Sequence, residues 1–214
     1  MSDEPDPSRR RILQAAAGAG FAGVAGSAAT VAYLTDRSSF PGNETGAGSL
    51  NLGLAADAAE GDDEADYVPS DDDFEDESTV SVAFSSLEPG DSGVLTTAYR
   101  VCGAPGRVWF RVRTDGDDET ALARRLDVRV AERPDCDGDG DALFAGTLDE
   151  LIAAYEDGVQ IGYDCVECEP ACVDLEWTFD ENPPSDVDDD SFTSELEFAA
   201  VQCRHNETPE NPWN

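Results

Sequence analysis

Residues 79–113, TVSVAFSSLEPGDSGVLTTAYRVCGAPGRVWFRVR, hold three runs of alternating residues broken by two Pro-Gly turns. No other stretch of the chain constrains its fold as tightly. In the first run Val80, Val82 and Phe84 alternate with Thr79, Ser81 and Ser85, the period of a strand with one buried face. In Glu88-Pro89-Gly90-Asp91, proline presets φ for the first turn position and glycine supplies the positive φ of the second. Leu95, Tyr99 and Val101, with Thr97 between them, then share a face, and Val108, Phe110 and Val112 stand opposite Arg107, Trp109, Arg111 and Arg113. Antiparallel strands joined this tightly predict an all-β core.

Further along, Leu126, Val128 and Val130 read as another strand, as do Val173, Leu175, Trp177 and Phe179, and finally Phe192, Leu196, Phe198 and Ala200. Between them Thr147-Leu148-Asp149-Glu150 forms a capping box, with Leu148, Leu151, Ile152 and Tyr155 at helical spacing and Gly158 as the stop. The predicted fold is a jelly-roll-like or Greek-key β-sandwich over residues 79–204 with one short helix. Residues 205–214 form a tail. A strand segment at 33–54 precedes it, separated by a linker at 55–78 dominated by Asp, Glu, Ala and Gly.

Residues 1–32 look like delivery. Ser8-Arg9-Arg10-Arg11-Ile12-Leu13 opens an uncharged Ala/Gly-rich stretch, resembling a twin-arginine export signal carried by Arg9 and Arg10. Export machinery and a signal peptidase, cutting after Ala29 or Ala32, are the implied partners. A retained membrane anchor is the alternative, since roughly twenty uncharged residues span a bilayer. Asn43-Glu44-Thr45 and Asn206-Glu207-Thr208 would be glycosylation acceptors outside the cell.

The chain carries 48 acidic residues against 13 basic ones, for a net charge of −35, and it has no lysine. Such a field excludes nucleic acid as a partner. With 40% hydrophobic residues the chain can still bury a core, and strong salt screens its self-repulsion. The composition resembles that of halophilic archaeal proteins.

Six cysteines in an exported domain predict disulfides among Cys102, Cys136, Cys165, Cys168, Cys172 and Cys203, with fifteen pairings open. Cys102, Cys172 and Cys203 have the parity of their strands' polar side, which predicts staples at strand ends and loops and not a core role. Zinc is the competing use, with Cys165, Cys168, Cys172 and either Cys203 or His205 as ligands. Asp135, Asp137, Asp139 and Asp141 around Gly140 match the first half of a calcium loop. The position of its bidentate Glu is Gly146, so an acidic hairpin loop is the alternative. No catalytic constellation stands out: His205 is the only histidine, and neither His-Glu-x-x-His nor Gly-x-Ser-x-Gly occurs. An enzyme is not expected.

Several segments in one order carry a family likeness: Ala32-Tyr33-Leu34-Thr35-Asp36, GAGSLNL at 46–52, LEPGDSG at 87–93, CGAPGRVW at 102–109, the Asp135–Asp141 loop, FAGTL at 144–148, Leu175-Glu176-Trp177, and FAAVQCRHN at 198–206. Together the sequence resembles the secreted β-sandwich proteins of the TasA and camelysin group, with SipW-dependent-type signals, in a halophilic archaeal branch. Leu34 replaces the usual Phe, the twin-arginine start differs from Lys-rich leaders, and Cys165-x-x-Cys168 is an addition. The resemblance implies a jelly-roll subunit of extracellular fibres, pili or biofilm matrix, self-associating by donation of an N-terminal strand within Tyr33–Leu54. Alternatives are a membrane-anchored surface adhesin or binding module and a camelysin-like metallopeptidase.

Overall fold

The computed structural model describes residues 33–35, 50–61, 67–114, 121–138, 140–184, 191–204 and 210–214. Its strands are β1 (Tyr33–Thr35), β2 (Asn51–Glu60), β3 (Thr79–Ser85), β4 (Ser92–Cys102), β5 (Gly106–Thr114), β6 (Leu126–Pro134), β7 (Asp141–Thr147), β8 (Val159–Val166), β9 (Ala171–Phe179) and β10 (Ser191–Gln202), with helix α1 (Leu148–Tyr155) between β7 and β8. They form two five-stranded sheets, ordered β1-β3-β10-β5-β8 and β2-β4-β9-β6-β7. Every neighbouring pair is antiparallel.

The pairing follows from one long hairpin. β3 meets β10, β4 meets β9, β5 meets β8, and β6 meets β7. Rolling the two arms together sets β10 against β5 and β9 against β6. This is the jelly roll, with β1 and β2 added at one edge of each sheet. The chain therefore changes sheet at both Pro-Gly turns, and the three runs read as neighbours in the sequence do not pair with one another. The turn chemistry itself is as expected: Gly90 has φ +89°, and the Asp91 N–H donates to the Glu88 carbonyl at 2.9 Å.

The alternating residues meet between the sheets. Val82, Phe84, Leu95, Tyr99, Val101, Val108, Phe110, Val112, Leu126, Val130, Leu175, Trp177, Leu196 and Phe198 are all buried in one cluster. Phe84 sets its ring edge-on to Trp177 with centroids 5.5 Å apart, and Phe110 and Phe198 lie 5.1 Å apart, distances at which aromatic pairs contribute beyond area burial. In α1 the Thr147 N–H donates to Glu150 Oε2 at 3.1 Å, and Leu148, Leu151 and Tyr155 turn to the core. Gly158, at φ +81°, ends the turn and donates to the Tyr155 carbonyl at 3.0 Å.

Two boundaries differ from the sequence reading. The strand expected to end at Leu54 continues to Glu60, paired with β4 along ten residues from Asn51↔Cys102 to Glu60↔Gly93. Small alanines at 55, 56, 58 and 59 allow it, and Leu52, Leu54 and Ala55 are buried. Residues 67–78 are a strap and not a solvated linker. Tyr67 and Phe74 pack over Ala55, Ala98, Cys136 and Cys172 on the outward side of the second sheet, and Glu75 exchanges both backbone hydrogen bonds with Leu54 at 2.9 and 2.8 Å.

Candidate functional site

β3 is a strand of the first sheet with a neighbour on each side and unequal pairing to the two. Along seven residues it pairs with β10, from Ser85↔Ser191 to Thr79↔Glu197. On its other side, among the described residues, Tyr33↔Ala83, Leu34↔Val82 and Thr35↔Ser81 are paired. An edge with main-chain groups left over is a template for a further strand. Of the expected donor segment 33–54, Asn51–Leu54 belongs to β2 and is committed to its own sheet. The part that remains is 33–35 with the residues up to 49.

The cysteines form three disulfides, Cys102–Cys168, Cys136–Cys172 and Cys165–Cys203, and none is free. Zinc ligation by Cys165, Cys168, Cys172 and Cys203 is thereby overturned, because all four sulfurs are spent in S–S bonds. Cys102 and Cys203 sit at strand ends as their parity implied. Cys172 does not behave as expected: it is fully buried with Cys136, since the strap turns the outward side of β9 into a second small core. Three disulfides belong to an oxidising compartment, outside the cell or at its surface.

The acidic loop joins β6 to β7 as a hairpin. Asp135 and Cys136 take positive φ, +58° and +55°, and Asp137 Oδ1 accepts the N–H of Gly138 at 2.8 Å. Asp141 begins β7, and Asp139 lies outside the described residues. Among the described residues no three His, Cys, Asp or Glu side chains converge on one point. Arg9, Arg10, Asn43, His205 and Asn206 also lie outside them.

Three polar constellations escaped the sequence reading because each depends on which strands become neighbours. Between the sheets, Glu132 accepts the Tyr99 hydroxyl and the Gly162 N–H at 3.0 Å. Burial, and then the adjacent Glu132 charge, hold the Tyr99 phenol well above its ordinary range. Gly162 has φ +75°, and a Cβ there would meet the Tyr99 oxygen at 2.8 Å. On the outward side of the first sheet Arg111 donates to Glu197 at 2.6 Å and lies under the Trp213 ring at 4.4 Å. Asn211 Nδ2 donates to the carbonyls of Asp157 and Gly158 at 2.6 and 3.2 Å, so residues 210–214 are docked. On the outward side of the second sheet Arg133 and Asp174 are paired and buried. An open depression nearby, about 300 Å³ and lined by residues including Asp127, Arg129, Gly146 and Glu176, holds an Arg129–Glu176 ion pair at 2.8 Å.

No family model matches the chain, and no curated protein matches it. Among solved structures it is similar to the adhesin domain of Epf from Streptococcus pyogenes, with 8% identity and a TM-score of 0.28 over 72% of this chain and 60% of that one. It is also similar to a carbohydrate-binding module of the β-sandwich superfamily, with 11% identity and a TM-score of 0.29 over 72% of this chain and 58% of that one. A third is the enzymatically active domain of bacteriophage CBA120 tailspike protein 4, with 13% identity, a TM-score of 0.25 and coverage of 71% and 19%. The chain thus spans about three-fifths of the length of the first two.

Proposed function

We propose that this protein is an extracellular structural subunit of the TasA and camelysin type, assembling into fibres by exchange of its N-terminal strand. The observation that carries the reading is the asymmetry of β3, paired among the described residues over seven positions on one side and three on the other. Residues 36–50 separate the donor from β2, a contour of roughly 50 Å when extended. The Tyr33–Thr35 pairing is therefore within reach of a neighbouring copy. Main-chain hydrogen bonds along β3 supply the affinity, and the register Leu34↔Val82 supplies the order. The net charge of −35 opposes close contact between copies, so assembly is favoured in strong salt.

Electron microscopy of the mature chain in high salt tests this against two variants, one lacking residues 33–49 and one carrying Leu34→Pro, which places a residue that cannot donate in the donor strand. Filaments from the parent and none from either variant are expected, with unchanged thermal stability of the sandwich. A parent that stays monomeric, or filaments that persist in the deletion, would refute the reading. A caseinolysis assay with and without chelator in the same preparation tests the peptidase alternative.

A further inference from the structure

Four of the six cysteines gather at one end of the sandwich. β4 ends at Cys102, shortly before β5 opens at Gly106. Gly106 stands opposite Gln202 of β10 and Val166 of β8, so Cys203 follows one of its neighbours and Cys165 precedes the other. Backbone hydrogen bonds close the corner, from the Cys168 N–H to the Val101 carbonyl at 2.6 Å and from the Cys203 N–H to the Pro105 carbonyl at 3.0 Å. The Cys102–Cys168 and Cys165–Cys203 bonds therefore converge on one short span of chain, Cys165-Val166-Glu167-Cys168. Within it Cys165 and Cys168 are exposed, whereas Cys136 and Cys172 are 1% and 0% exposed.

We propose that this corner is a thiol–disulfide exchange site, at which a small-molecule thiol converts Cys102–Cys168 and Cys165–Cys203 into Cys165–Cys168 and Cys102–Cys203. Exchange runs by thiolate attack on an accessible disulfide sulfur, and access here differs sharply between the corner and the buried pair. The incoming thiolate attacks Cys165 Sγ, breaking its bond to Cys203 and leaving Cys203 as thiolate. Cys203 attacks Cys102 Sγ, and Cys168 leaves. Cys168 then attacks Cys165 Sγ in the mixed disulfide and expels the small thiol. Three S–S bonds form and three break, nothing is oxidised or reduced overall, and the thiol is regenerated. In the second isomer the 165–168 span closes on itself and its covalent tie to β4 is gone, while the ends of β4 and β10 are joined. This site is independent of strand exchange at β3.

The test incubates the mature full chain with 2-mercaptoethanol in non-denaturing high salt, quenches with acid and N-ethylmaleimide, and maps linkages by mass spectrometry. A Cys165–Cys168 peptide and a Cys102–Cys203 pair are expected while Cys136–Cys172 stays intact and reports the fold. In a Cys165→Ala, Cys203→Ala variant no new linkage is expected, with Cys136–Cys172 again intact. The proposal is overturned if the three original pairs alone are found until full reduction, if Cys136–Cys172 opens as fast as the corner pairs, or if the variant reshuffles at the parent's rate.

Discussion

Arg133 meets Asp174 twice on the outward side of the second sheet, Nε to Oδ2 at 2.6 Å and Nη2 to Oδ1 at 3.1 Å. Both residues are nearly dry, at 6% and 4% exposure. The Thr96 hydroxyl adds a third bond to the same carboxylate at 2.8 Å, and Arg133 Nη1 reaches the Cys136 carbonyl at 2.8 Å. A sheet face expected to be solvated thus holds a satisfied ion pair beside a disulfide. Removing one partner leaves the other charged and buried, which typically costs about 3–5 kcal/mol. Asp174→Ala is therefore expected to lower unfolding free energy by about that amount in urea denaturation, and a loss under about 1 kcal/mol would show that the pair is solvated after all.

The inward residues were legible in the sequence because period-2 alternation survives any choice of sheet partner: Val82, Phe84, Val108, Phe110, Leu175 and Trp177 are all buried. The capping box at Thr147 was legible for the same reason, being local. What alternation does not encode is adjacency. Ala55 read as linker and Cys172 as a polar-side residue until β2, β4 and β9 line up as Ala55↔Ala98↔Cys172 and Phe74 closes over them. β7 was missed because its alternation is weak, with Ala142, Leu143, Phe144, Ala145 and Gly146 in sequence, whereas β8 carries the period, Val159, Ile161 and Tyr163 against Gln160, Gly162 and Asp164, and went unread between the helix and the Cys165 loop, with Gly162 at positive φ inside it. The strand expected to end at Leu54 was cut short, because a run of alanines looks like linker until a neighbouring strand pairs with it.

The docked tail makes a second stability claim. The Trp213 ring covers the Arg111 guanidinium, whose partner Glu197 is 5% exposed, and its edge fills the space where a Gly158 Cβ would stand, 2.4 Å from Cε3. Trp213→Ala is expected to cost about 1–2 kcal/mol through the lost cation–π contact and to make the remaining stability more sensitive to salt. Gly158→Ala is expected to eject the ring and to strain a backbone at φ +81°. Because both changes act on one contact, their sum in the double variant should fall short of additive. Thermal melts of the four proteins measure this, and full additivity would mean that Trp213 does not pack on Gly158 in solution.

Asp57 gives the pH dependence. It stands opposite Thr96 in the β2–β4 register, and burial raises its carboxyl above the ordinary 3.8, partly offset by the Ala58 N–H. For an acid whose pKa is higher folded than unfolded, the folded state holds a proton that the unfolded state releases. Stability is then lost as pH rises through that window and is unaffected below 3.8. Asp57→Asn is expected to melt higher than the parent at neutral pH, with the gap closing as the pH falls below the ordinary carboxylate value. A gap that stays constant across this range, or the opposite sign, would place the Asp57 carboxylate in water.

β4 carries two inward hydroxyls, and whereas that of Tyr99 is bonded to Glu132, that of Thr97 stands among apolar neighbours. Thr97 is fully buried, lies opposite Val173, and among the described residues its Oγ1 finds no hydrogen-bond partner. A buried polar group without a partner costs roughly 1–3 kcal/mol relative to its apolar isostere, and valine matches threonine in shape and in its preference for strands. Thr97→Val should therefore raise unfolding free energy by about 1 kcal/mol or more, a gain visible as a higher urea midpoint at unchanged slope. A loss on substitution would mean that the hydroxyl is bonded in solution, with an ordered water between the sheets as the partner to seek.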